Sequence, residues 1–254
     1  CMEKLDQLLA ILAPEMELPA TRAEKEWLFR ALRNIWEPRE MPASYWAMQD
    51  QYLRENLAEK GVTKLSDLQE VADQIYLWQG DITTLEVDAI VNAANSQMMG
   101  CFIPHHACID NAIHSQAGLQ LRLACQHLMA EQGHPEPTGQ AKLTRGYNLP
   151  ASYVIHTVGP IIEGQVSQAD QDLLVSSYQS CLELAAEKGL KSLAFCCIST
   201  GEFHFPNQLA AELALETVRE FLKNHPQIKV VFNVFKDQDL AIYQDLLGLH
   251  QENL

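Results

Sequence analysis

Positive charge is what this chain has least of: 18 lysines and arginines stand against 33 aspartates and glutamates, a formal net charge of −15. Polyanions are bound through a basic footprint, so DNA and RNA are excluded as partners. The same acid excess disfavours adhesion to anionic membrane surfaces. Long apolar runs are missing too; none approaches the roughly 20 residues of a membrane span. The first residues, CMEKLDQLLA, lack the basic flank, long apolar stretch and cleavage motif of a secretory signal. Cys1 ahead of Met2 reads as an addition, with Met2 as the natural start. The seven cysteines are odd in number and irregular in spacing, which suits free thiols in a reducing cytoplasm rather than a disulfide frame. No internal repeat or low-complexity tract interrupts the chain.

What is present is a large apolar fraction, 47 % of 254 residues, enough for a substantial core. The length suits one large domain, or one domain with an appendage. Residues 1–73 read as helices. Leu5, Leu8, Leu9 and Leu12 recur at helical spacing until Pro14 and Pro19. A second helix is expected from Thr21, a cap, to Trp36, with Trp27, Leu28, Leu32, Ile35 and Trp36 on its apolar side. A third should run from about Pro42 to Lys60 and stop at Gly61. The aromatics of this segment are expected to pack it onto the rest of the protein.

From residue 74 onward the texture changes. The runs 75–78, 89–93, 153–158, 192–198 and 229–235 read as strands, with a shorter one at 142–144. Helices are expected over 110–131, 168–188, 207–224 and 238–247. Alternating strands and helices imply an α/β domain, 74–254, with a largely parallel sheet covered on both faces.

Ligands of open α/β sheets bind beyond the carboxyl ends of the strands. Two segments fall there. One follows strand 89–93 and runs from Asn95 to Cys108, with Asp110 near the start of the next helix. The other is Ser199-Thr200-Gly201-Glu202-Phe203-His204-Phe205-Pro206. A Ser-Thr-Gly turn between a buried strand and a helix can present several main-chain N–H groups to one anion. No lysine or arginine occurs between Lys64 and Arg122 or between Lys191 and Arg219. A phosphate bound here would therefore be held mainly by main-chain amides and helix N-termini.

Cys101, His106 and Cys108 place two thiols and an imidazole within eight residues, a donor set that zinc favours. Three ligands without a local fourth resemble an open, catalytic site more than a closed structural one. His105, Asp110, His114 and His204 are candidates for a fourth ligand or a supporting group. A cysteine–histidine nucleophile pair using Cys101 or Cys108 competes with this reading. The other cysteines lie on helix or strand patterns, where buried thiols are common.

The segments GDITTLEVDAIVNAAN (80–95), DNAIHSQAG (110–118), TGQAKLTRGYNLPASYVIHTVGP (138–160) and CISTGEFHFP (197–206) together resemble the macrodomain family of ADP-ribose-binding modules and hydrolases. The resemblance spans residues 75–250. Where many members carry a glycine-rich loop after NAAN, this chain has Gly-Cys-Phe-Ile-Pro-His-His-Ala-Cys. That looks like the zinc-dependent subclass, which also carries a helical N-terminal extension. His204 and Phe205 also depart from the commoner Gly-x-Tyr-Gly-Tyr-Pro pattern.

The resemblance implies a mixed, largely parallel sheet flanked by helices, and a role for each matching residue. Asp81 and Ile82 would recognise adenine. Ser199, Thr200, Gly201, Glu202 and Phe203 would cradle the diphosphate and its ribose. Asn95 would orient the distal ribose, and Ile109 and Asp110 would contact the ligand beside the reaction centre. Cys101, His106 and Cys108 would hold one Zn²⁺. The expected activity is hydrolysis of mono-ADP-ribose from a protein side chain, a carboxylate ester, at C1 of the distal ribose, with Asp110 acting on water and Asn95 fixing the sugar. The subclass also implies a sirtuin-type ADP-ribosyltransferase and a lipoyl-carrier protein as partners; a monomer is expected. The alternatives are a non-catalytic ADP-ribose reader with a structural zinc, an O-acyl-ADP-ribose deacylase, and a purely structural metal module.

Overall fold

The computed structural model describes residues 2–249, so Cys1 lies outside the described residues. Three helices lead the chain: α1 (Met2–Leu12), α2 (Arg22–Asn34) and α3 (Ala43–Lys60). Thr21 caps α2 through a reciprocal box with Glu24, and α3 ends at Gly61, whose φ of 88° suits glycine. Leu5, Leu8, Leu9 and Leu12 are all buried, against Phe29, Tyr45, Tyr52 and Leu53.

The face of α2 differs from its apolar pattern. Lys25, Phe29 and Arg33, spaced four apart, point inward, whereas Trp27 and Ile35 are 61 % and 49 % exposed. Polar partners account for this: Lys25 pairs with Asp6 at 2.6 Å, and Arg33 donates to the Ser115 carbonyl at 2.6 Å. A buried cation is tolerable when paired or hydrogen-bonded.

Next come β1 (Thr63–Lys64), β2 (Glu70–Ala72), β3 (Ile75–Gln79), β4 (Leu85–Glu86) and β5 (Ala89–Ala93). Then follow α4 (Ile109–Ala117), α5 (Leu119–Gln132), β6 (Ala141–Arg145), β7 (Tyr153–Thr157) and α6 (Gln168–Glu187). The chain continues through β8 (Ser192–Phe195), α7 (Asn207–Leu222), β9 (Lys229–Val234) and α8 (Asp237–Leu246). The main sheet has the order β2-β3-β9-β8-β5-β7-β6; its inner five strands are parallel and the two edge strands antiparallel. This is the expected α/β class, a mixed sheet with helices around it. β5 and β8 are almost wholly buried, as their unbroken apolar runs require.

Three details depart from the sequence pattern. Residues 110–131 form two helices, because Gly118 takes φ 100° and ψ 170° between α4 and α5. Strand β8 stops at Phe195, and Cys196 to Ile198 turn out of the sheet toward the Ser-Thr-Gly loop. The first 73 residues are not all helical: β2 pairs antiparallel with β3 and joins the main sheet. Short edge strands such as β1 and β2 carry too few residues for a periodicity to register. Among the described residues no helix is long and apolar enough to cross a membrane, and all six cysteines are free thiols.

Candidate functional site

Strands β5 and β8 are parallel neighbours, so the loops at their carboxyl ends lie side by side. The loop after β5 opens on Asn95. Its side-chain oxygen accepts from the Gln97 N–H at 3.0 Å, and its amide donates to the Gly100 carbonyl at 3.2 Å. Asn95 thus braces the base of the loop. Met98, with φ 63°, packs into a small cluster with Ala94 and Val158, against which Phe203 of the other loop also rests.

Past Gly100, the donor atoms of Cys101, His106 and Cys108 all lie within 4.8 Å of one another. His106 Nδ1 is 3.6 Å from Cys101 Sγ. Cys108 caps α4, its sulfur accepting from the Asn111 N–H at 3.3 Å. Burial pushes the Cys108 thiol up to about 12 despite that bond, which counts against it as a free nucleophile at neutral pH. Two sulfurs and an imidazole, half-buried and convergent, fit a zinc ion by donor type and spacing. Of the other candidate ligands, His105 is turned away: its ring stacks on Trp27 at 4.2 Å and its Nε2 faces the Trp27 carbonyl at 2.9 Å.

Asp110 occupies the first turn of α4 and is 5 % exposed. Asn92, on β5, donates to its Oδ1 at 2.8 Å, and His114 Nε2 lies 3.5 Å from the same oxygen. Oδ2 has no partner among the described residues. Burial raises the Asp110 carboxyl to about 6, with Asn92 and Arg122 pulling the other way. Such a carboxylate is suited to general-base work near neutrality. Ile109 beside it is half-buried and packs on the main core.

A second set of possible metal donors, His114, Cys125 and His156, is fully buried behind Asp110. His156 in it is engaged by hydrogen bonds, whereas neither ring nitrogen of His114 has a hydrogen-bond partner among the described residues. The other face of the Asn92 amide is 3.1 Å from His156 Nδ1, which must therefore accept. The proton then sits on His156 Nε2, which reaches Thr144 Oγ1 at 2.9 Å. Burial holds His156 down to about 4 and His114 well below its ordinary range, so both rings are neutral. His156 is the polar floor that holds Asn92.

The loop after β8 is closed mainly from within, with one bond from outside, the Ile162 N–H to the Phe203 carbonyl at 2.8 Å. Ser199 and His204 take positive φ of 65° and 59°, and the Phe205 N–H closes the loop on the Ser199 carbonyl at 2.8 Å. No acceptor for the N–H of Gly201, Glu202 or Phe203 occurs among the described residues. Those amides form an open nest of the kind that binds anions. Gly159, after β7, backs the nest closely: a Cβ there would stand 2.0 Å from Ser199 Oγ. Glu202 Oε1 lies 3.7 Å from His106 Nε2, so the two loops meet.

The third corner is the end of β3. Asp81 Oδ1 is held by the Thr83 N–H at 2.9 Å and the Thr83 hydroxyl at 2.6 Å. The exposed remainder of this carboxylate is open to a ligand amine. Ile82 is 2 % exposed, its side chain packed in the main core. β9 ends beside it, where Asn233 donates to the Gly80 carbonyl at 3.0 Å. Phe235 follows and is 77 % exposed, an aromatic ring standing free near Asp81. Sequence reasoning absorbed Phe235 into a strand; an aromatic at the carboxyl end of a central strand was the available signal. Asn92 and Gly159 were missed too, since neither differs in sequence from an ordinary strand or loop residue.

With this geometry in place, the comparisons with known proteins are decisive. Residues 91–214 match the Macro domain family. A protein-ADP-ribose hydrolase of Treponema medium is 53 % identical over 92 % of this chain and 91 % of its own length. The chain belongs to the macro domain family. Another relative of this macro domain, a protein-ADP-ribose hydrolase of Staphylococcus aureus strain MRSA252, is 50 % identical over 92 % of the chain and 89 % of its own length. Among solved structures, a Trypanosoma brucei macrodomain in complex with ADP-ribose aligns with a TM-score of 0.67 at 31 % identity, covering 86 % of this macro domain chain and 95 % of its own.

Proposed function

We propose that this macro domain hydrolyses the bond between the distal ribose of ADP-ribose and a protein side chain, a carboxylate ester, with zinc held by Cys101, His106 and Cys108. One observation carries this reading. A buried carboxylate, Asp110, stands two residues from a convergent Cys/His/Cys donor set, which touches the neighbouring loop of free amides through His106 and Glu202. The two hydrolases at 50 % identity or more over 92 % of the chain support it. So does the alignment with a macrodomain that binds ADP-ribose. We take residues 1–73 as the extension and 74–254 as the macro domain, with β2 stitched into its sheet.

Asp81 accepts from the adenine amine, Ile82 contributes its main chain, and Phe235 stacks on the base. The amides of Gly201, Glu202 and Phe203, with Ser199 and Thr200, hold the diphosphate, consistent with the absence of lysine and arginine from these loops. Phe203 covers the ligand from one side and Ile109 bounds it on the other. Asn95 orients the distal ribose with the amide hydrogen that Gly100 leaves free. When bound, zinc supplies Lewis acidity toward an oxygen of the sugar or of water. Asp110 takes the proton from the attacking water through Oδ2, while Asn92 keeps Oδ1 in place.

The test uses an ADP-ribosylated protein with wild type, Cys101→Ala and Asp110→Ala, assaying metal and released ADP-ribose together. The expected result is zinc in the wild type, none in Cys101→Ala, and no turnover by either variant. Full turnover by zinc-free Cys101→Ala would end the zinc reading. Saturable ADP-ribose binding without release by the wild type would make the protein a reader.

A further inference from the structure

Arg122 lies on α5 and is 3 % exposed. A buried guanidinium ordinarily faces a carboxylate or phosphate. Arg122 instead donates to five main-chain carbonyls. Nε reaches Met99 at 2.8 Å, and Nη2 reaches Cys101 at 3.4 Å. Nη1 reaches Arg33, Asn34 and Trp36 at 3.1, 2.8 and 2.8 Å. The cation also lies over the Phe102 ring, 3.9 Å from its centroid. Two of these carbonyls belong to the loop that carries Cys101. The other three lie at and just past the end of α2, where helix carbonyls present the negative end of the helix dipole; the Arg33 carbonyl also accepts from the Trp36 N–H at 3.3 Å.

A second group of contacts joins the same two places. The His105 N–H donates to Asn34 Oδ1 at 3.0 Å, and the His105 ring is stacked on Trp27 with 15° between the planes. His105 has φ 56°, a left-handed conformation unfavourable to a residue with a side chain. It immediately precedes His106, so whatever holds this strained residue also aims His106. Arg30 adds a bond from Nη2 to Asn111 Oδ1 at 3.0 Å, at the start of α4 just beyond Cys108.

We infer that Arg122, acting with the end of α2 and Trp27, is the positioning residue that holds the loop 98–108 in the curve on which its three metal donors converge. The inference rests on the zinc reading above. A loop on its own would scatter Cys101, His106 and Cys108 over many conformations, and collecting them would weaken metal binding by that entropy. The helical extension is therefore part of the metal site, although none of its residues reaches the metal.

The test strips the full chain of metal and titrates wild type, Arg122→Met, Arg122→Lys and Trp27→Ala with zinc against a chromophoric chelator. ADP-ribose affinity is measured on the same metal-free samples, and circular dichroism with thermal melts reports folding. Arg122→Met should bind zinc about 10–100-fold more weakly, the usual effect of losing a supporting group. Its ADP-ribose affinity should stay within about threefold of wild type, because the other loop carries the diphosphate. Arg122→Lys should fall between, since an ammonium cannot span the five carbonyls. Trp27 is 61 % exposed, so Trp27→Ala should leave the fold intact and weaken zinc about three- to tenfold. With zinc restored, each variant should lose kcat and keep KM.

Wild-type zinc affinity in folded Arg122→Met would overturn the inference. If that variant does not fold, wild-type zinc affinity in both Arg122→Lys and Trp27→Ala would overturn it instead. A wild type that takes up no zinc would sink the metal reading itself, a different result from wild-type and variants binding zinc alike.

Discussion

The loop after β5 and the loop after β8 lie next to each other, yet different parts of the molecule hold them. The first, 98–108, is held from behind by Arg122, 21 to 23 residues away in sequence, and by Asn34 at the end of α2, 71 residues away. The second, 197–206, is closed by its own bonds, Thr200 to Cys197 and Phe205 to Ser199, with Gly159 pressed against its back. The difference follows from what each would bind. A nest of amides needs only local turns with positive φ, which a short segment can adopt by itself. Three side-chain donors meeting at one point need a rigid frame, and a loop of eleven residues does not contain one.

If this contrast is right, changes on one loop should leave the other's ligand alone. The largest effect is expected from Cys108→Ala: bound zinc lost and turnover reduced on the order of 10³-fold. ADP-ribose should still bind within a few-fold of wild type by calorimetry. Asp110→Asn should come next, with kcat down about 10²-fold and zinc content unchanged by elemental analysis. Loss of zinc in that variant would show that Asp110 serves the metal loop rather than the reaction.

Gly159→Ala tests the opposite side. Its new Cβ would fall 2.0 Å from Ser199 Oγ and 2.8 Å from Ile198 Cγ2. Overpacking of about 1–3 kcal/mol should weaken ADP-ribose about 5–100-fold, read by titration, while chelator competition shows zinc affinity unchanged. A coupled loss of zinc would mean the loops act as one body through His106 and Glu202. The smallest effect is expected from salt. Amide-held phosphates release few counter-ions, so ADP-ribose affinity should fall less than about threefold between roughly 50 and 200 mM. A steep fall would point to a cation at the nest that the charge map does not provide.

Much of the fold was legible because its signals are local. The cap at Thr21, the stop at Gly61 and the buried runs of β5 and β8 are all set within a few residues. The single helix expected over 110–131 was not, since Gly118 breaks it without a proline or a polar cluster to announce the bend. Nor was the inward face of α2. Lys25 and Arg33 look like surface residues until Asp6 and the Ser115 carbonyl are brought to them.

The candidate site divides along the same line. Sequence alone offered the candidate donors Cys101, His106 and Cys108, the Ser-Thr-Gly turn, and two loops without lysine or arginine, so that an anion bound there would be held by amides. Each depends on residue type and spacing within one short stretch. Only the tertiary structure decided that Asp110 is buried with one oxygen fixed by Asn92, that His105 faces Trp27, and that Phe235 stands free beside Asp81. It alone made Arg122 the link between α2 and the loop 98–108. These contacts join residues far apart in the chain, and no local pattern records which distant surface a side chain will meet.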